Sequence, residues 1–137
     1  MSGLKVYGEG RGCALGDYDG DGRIDLVEGQ NGAATKLYHN VGGQAGLRIR
    51  LKGGANNPTG VGAQIRLKSG EKLGPTREVK SGSGYWSQEG VVQVMGLQEE
   101  ATGVWVRWPG GKIVHTEIPK GAKEISLDDE GKIAVLR

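Results

Sequence analysis

A chain of 137 residues with a formal net charge of +2 has the length of one domain, or of one domain plus a fragment. Its 27 glycines, roughly a fifth of the chain where an ordinary globular protein has about 7%, exclude a helical protein, and the clean alternation of apolar residues between them excludes disorder. The single Cys13 excludes an internal disulfide, no apolar run approaches the ~20 residues of a membrane-spanning helix, and scattered, nearly balanced charge gives nucleic acid little to hold.

In chain order, the opening MSGLKVYGEG lacks the basic-then-apolar pattern of a secretion signal. Short apolar pieces follow at 13–15, 24–27 and 36–38, and Cys13 is expected to act as a small buried hydrophobe. Between the first two lies DYDGDGRID, residues 17–25. Four aspartates, Asp17, Asp19, Asp21 and Asp25, would repel one another in any compact arrangement without a cation. Odd spacing lets a curled chain aim the first three at one point, Gly22 permits the sharp turn, and the Arg23 carbonyl adds a backbone oxygen. Ligation by oxygen alone selects calcium before transition metals.

The stretch also fits the EF-hand pattern, with Glu28 at its twelfth position. An EF-hand requires flanking helices, and Gly8, Gly10, Gly12 and Gly16 on one side with Gly29 and Gly32 on the other oppose them. A calcium loop in a β-hairpin, closed by Asp25, fits better. The bland alternative is a solvated acidic turn, since Asp-Gly pairs are ordinary turn formers.

Residues 41–46, VGGQAG, read as a linker. Beyond it, LRIRLK from Leu47 and AQIRLK from Ala63 alternate, so Leu47, Ile49 and Leu51, then Ala63, Ile65 and Leu67, share a face while charges occupy the wet face. Further strands are predicted from Arg77, Val91, Gly103, Lys112, Lys123 and Lys132, and their spacing near ten residues predicts a sandwich or barrel. Pro109-Gly110-Gly111 and Asp129-Glu130-Gly131 predict hairpins over 104–116 and 125–136.

The loop 81–88, with Ser81, Ser83, Tyr85, Trp86 and Gln88, has the hydroxyls, amide and aromatics that can hold a sugar or peptide. The structural alternative has glycines forming a bulge, hydroxyls satisfying backbone groups, and Tyr85 or Trp86 covering the core edge. Alternation places Val104, Val106 and Trp108 inward, opposite Trp105 and Arg107. His39 and His115 stand outside any catalytic motif, and Glu78 and Glu89 are the carboxylates left for glycosidase chemistry.

Residues 10–40, GRGCALGDYDGDGRIDLVEGQNGAATKLYHN, closely resemble one FG-GAP or VCBS repeat, a blade of integrin-like β-propellers whose loops hold calcium. The resemblance implies Asp17, Asp19, Asp21, the Arg23 carbonyl and Asp25 as ligands, with Glu28 a non-ligand in the next strand. From about residue 47 to 128, the stretches NNPTGVGAQIRL, REVKSGSGYWSQE, VMGL and VRWPGGK resemble the ASPIC and UnbV domain, found after such repeats in bacterial surface proteins and in the cartilage acidic protein family. A propeller needs several blades, so this one repeat implies the C-terminal piece of a longer protein.

The expectation is thus an all-β chain: a propeller-blade-like calcium hairpin over 1–43, joined to a β-sandwich or barrel over 44–137. It binds or scaffolds without catalysis, with a carbohydrate-active accessory or catalytic domain as the alternative. Calcium is the expected cofactor. A glycan or protein ligand, and a second copy meeting exposed strand edges, are the expected partners, with no nucleic acid. The resemblance implies an extracellular, cell-surface or periplasmic setting.

Overall fold

The computed structural model describes residues 4–96 and 101–137, so residues 1–3 of the expected first unit and Leu97 of the VMGL stretch lie outside the described residues. Strands form where apolar residues alternate, and turns where glycine, proline or aspartate interrupts them. In chain order they are β1 (Gly10–Gly16), β2 (Asp25–Gln30), β3 (Lys36–Tyr38), β4 (Leu47–Lys52), β5 (Gln64–Ser69) and β6 (Lys72–Leu73). Then follow β7 (Arg77–Glu78), β8 (Gln93–Met95), β9 (Gly103–Arg107), β10 (Ile113–Glu117), β11 (Glu124–Asp128) and β12 (Ile133–Val135). No helix occurs among the described residues.

The strands make three sheets. An antiparallel sheet in the order β1-β2-β3 carries the acidic stretch in its first hairpin, closed by the Gly16–Asp25 pair. A four-stranded sheet runs β12-β11-β4-β8, and a five-stranded sheet runs β10-β9-β5-β6 with β7 also on β5. Both orders are open, so of the two expected architectures the barrel is not formed and the sandwich is. The predicted strand from Arg77 shrinks to two residues, and β6 was not foreseen.

The inner faces of the two larger sheets make one core. Leu47, Ile49 and Leu51 of β4 and Ile125 and Leu127 of β11 meet Ile65 and Leu67 of β5 and Val104 and Val106 of β9. Each such side chain contributes about 1.5–3 kcal/mol on removal from water. Trp108 is buried beside them, opposite exposed Arg107, as alternation requires.

Two expectations fail. Cys13 is exposed, because among the described residues no second sheet packs on the small one, which also leaves Leu15, Val27 and Leu37 between 38% and 48% exposed. Arg48, expected on the wet face of β4, is buried to 6%. The acidic hairpin lies over it.

That hairpin is the seam between the small sheet and the sandwich. The Gly46 N–H donates to the Gly22 carbonyl at 2.8 Å, the Gly90 N–H to Leu15 at 3.3 Å, and the Arg137 guanidinium to Gly20. Gly12 is required here: a Cβ on it would lie 2.4 Å from the Tyr85 carbonyl, inside any permitted contact. Gly22 is required for another reason, its φ of +88°, which only glycine adopts freely.

Candidate metal centre

An antiparallel hairpin, not a helix pair, presents the four aspartates. Each carboxylate is oriented by N–H donors of the curled chain. Asp17 accepts from the amides of Asp21 at 3.0 Å and Gly22 at 2.8 Å, and Asp19 accepts from Asp21 at 3.2 Å. Asp21 accepts from the Arg23 amide at 2.8 Å and pairs with the Arg23 guanidinium. Asp25, only 2% exposed, accepts from Tyr18 at 3.2 Å and Asn40 at 2.8 Å. The Arg23 Nε donates to the Asn40 carbonyl at 2.7 Å, tying the hairpin to the chain just after β3.

This curl brings carboxylate oxygens of Asp17, Asp19 and Asp25 within 4.8 Å of one another. An ionised carboxylate has about four acceptor positions. The amides occupy one or two on each, leaving lone pairs for a hard cation, so the donor set fits calcium. Asp21 stands in a second grouping with Asp19 and His39.

His39 was not legible as a site residue. It lies far along the chain, yet its Nε2 is 3.1 Å from Asp19 and 3.8 Å from Asp21, and its ring meets Tyr18 edge-on at 5.4 Å. No local spacing signals it; β3 delivers it beside the hairpin.

Beneath the loop, Asp17 reaches the Arg48 guanidinium, whose Nε donates to Glu124 at 2.8 Å. Arg50 donates to the other Glu124 oxygen at 2.5 Å. Burial alone would raise the Asp17 pKa, but the Gly22 amide and Arg48 outweigh it and hold the group below the ordinary 3.8. Burial likewise opposes ionised Glu124, and Arg50 and Arg48 outweigh it, holding that group below 4.5. Arg48 and Arg50, both cations of β4, are therefore paired with carboxylates.

The loop 81–88 is placed away from these carboxylates, along β1. Neither aromatic covers the core edge: Tyr85 is 63% and Trp86 93% exposed, with their rings 6.2 Å apart. Ser83 donates its amide to the Ser87 carbonyl at 3.1 Å, while the buried hydroxyls of Ser83 and Ser87 have no hydrogen-bond partner among the described residues. Ser81 and Gln88 are exposed at its ends. Glu78 and Glu89 share a small depression with Arg77 and Lys80. His115 meets Trp105 edge-on, at 6.5 Å between centroids.

The ASPIC and UnbV family profile matches residues 53–134. Cartilage acidic protein 1 of Xenopus tropicalis is 31% identical over 129 residues, which cover 88% of this chain and 20% of that protein. The Homo sapiens protein of the same name is 31% identical over 133 residues, 91% of this chain and 20% of its own length. The chain thus spans about one fifth of the length of the curated relatives it matches. No solved structure matches it. With the profile covering more than half of its length, and every sandwich strand except β4 beginning within it, this chain belongs to the ASPIC and UnbV family.

Proposed function

We propose that the chain is a calcium-binding, non-catalytic module that scaffolds or presents a binding surface outside the cell. The observation that carries the metal is the convergence of Asp17, Asp19 and Asp25 oxygens in a strand-flanked loop. Asp21 and the Arg23 carbonyl would complete the protein ligands, with water filling a shell of about six to eight oxygens. The resemblance to an FG-GAP or VCBS repeat supports the same ligands. The Homo sapiens alignment omits only 9% of this chain, about 12 residues, so the shared stretch takes in the loop from whichever end those residues are missing.

The extracellular setting is supported by relatives whose name refers to cartilage, and the non-catalytic reading by a name that describes no reaction. The unit would serve as part of a longer protein, its first sheet as a blade-like repeat and its sandwich as the family domain.

Calorimetric titration of folded, metal-stripped protein tests the reading. One calcium site is expected, with magnesium a poor competitor because its tight octahedron suits this loop less well. Zinc binding tighter than calcium would shift the reading to Asp19, Asp21 and His39. No heat at millimolar calcium would refute it.

A second reading is favoured by Trp86, a bulky residue held at φ +50° with its ring in solvent. Such a backbone costs about 1–3 kcal/mol and recurs at ligand sites. Ser81, Ser83, Tyr85, Trp86 and Gln88 would then bind a glycan or protein. On a glycan array read with and without calcium, Tyr85→Ala is expected to abolish capture while leaving the melting temperature nearly unaltered. Equal loss of binding and stability would make the loop structural.

A further inference from the structure

Asp17 is claimed from two sides. Above, it belongs to the convergent carboxylates; below, the same carboxylate holds the Arg48 guanidinium. The pair is shut away from water, with the Asp17 side chain 1% and the Arg48 side chain 7% exposed. Arg48 is held there by register: β4 and β11 run parallel with Arg48 opposite Glu124, so its fork bridges a sandwich carboxylate and a loop carboxylate.

A buried cation against a metal ligand has two effects of opposite kind. It relieves repulsion among the aspartates, so the loop keeps its curl and its place on the sheet without an ion. It also repels any divalent cation that arrives, in a medium less screening than water. Glu124 sets the balance, because it neutralises part of the guanidinium and is itself shared with Arg50.

We propose that Arg48 is the built-in counter-ion of the carboxylate loop, holding the loop to the sandwich when no ion is bound and lowering its affinity for calcium. This rests on the calcium reading above. By linkage, calcium weakens the Asp17–Arg48 attraction by the factor by which Arg48 weakens calcium binding. Occupancy of the loop is thereby coupled to how firmly the small sheet is docked.

The test is calcium titration of the whole chain, wild type against Arg48→Met, with urea unfolding in chelator. Arg48→Met should bind calcium about tenfold more tightly and unfold at lower urea in chelator. Unchanged or weaker binding would overturn the affinity claim. If Arg48→Met does not fold, Glu124→Gln gives the opposite sign: Arg48 loses its second carboxylate and calcium binding should weaken severalfold. Tighter or unaltered binding in that variant would overturn the claim. A double-mutant cycle of Asp17→Asn with Arg48→Met, or with Glu124→Gln if Arg48→Met does not fold, read in chelator, needs no calcium. Coupling there without calcium binding by the wild type would sink the calcium reading and the affinity claim but sustain the docking one. Normal calcium binding with no coupling would sink the docking claim alone.

Discussion

In chelator, the chain is expected to lose stability as the pH falls from 4.5 to about 3, by no more than about 2 kcal/mol per depressed carboxylate, since one proton of difference is worth about 1.4 kcal/mol per pH unit. Two buried groups contribute: Glu124, whose folded pKa lies below 4.5 despite burial because Arg50 and Arg48 hold its charge, and Asp17, held below 3.8 by the Gly22 amide and Arg48. The sign follows from proton uptake. Above 4.5 the unfolded chain also carries both carboxylates ionised, so the contribution is present in full. As the pH drops, the unfolded state takes up the proton first, and the contribution is lost progressively down to the folded pKa. Arg48 is then left buried without its sandwich partner. Urea midpoints measured from neutral pH to about pH 3 read the effect. Glu124→Gln should start lower at neutral pH and show a shallower acid slope. A slope parallel to that of the wild type would assign the loss to other carboxylates.

Saturating the loop with calcium should stabilise the fold, by about 2.7 kcal/mol at a hundredfold excess over the dissociation constant. For a domain of this size that is about 10 °C in melting temperature, which chelator should reverse. Asp19→Ala should remove most of this response. Asp19 lies on the outer side of the loop, against His39 rather than against the sandwich, so its loss takes away a ligand without undocking the hairpin. It also relieves repulsion among the remaining aspartates, and stability in chelator should change by only about 0.5 kcal/mol. An undiminished calcium response in Asp19→Ala would show that the ligand set is wrong. An equal loss with and without calcium would show that Asp19 serves the fold rather than an ion.

Local chemistry alone determined much of this protein. Period-two alternation in LRIRLK and AQIRLK named the inward residues of β4 and β5, because side-chain direction in a strand is set by the neighbouring peptide units. The two hairpins over 104–116 and 125–136 were equally legible, since Gly110, Gly111 and Gly131 supply the positive φ their turns need. So was the strand-flanked setting of the aspartates, because the surrounding glycines disfavour the helices of an EF-hand.

What alternation leaves open is which distant element covers the second face of a strand. Arg48 reads as solvated in its hexapeptide, and only the hairpin laid over β4 buries it. Its partner Glu124 stands 76 residues away, and nothing in either segment announces a parallel pairing. The choice of sandwich over barrel is of the same kind, resting on which edge strands stay unpaired. Cys13 and Trp86 show the converse. Both have the composition of buried groups, yet exposure is decided by whether another layer arrives to cover them, and among the described residues none does. Tertiary structure therefore decided the electrostatics of the candidate site, because charges couple through space at distances that sequence separation does not record.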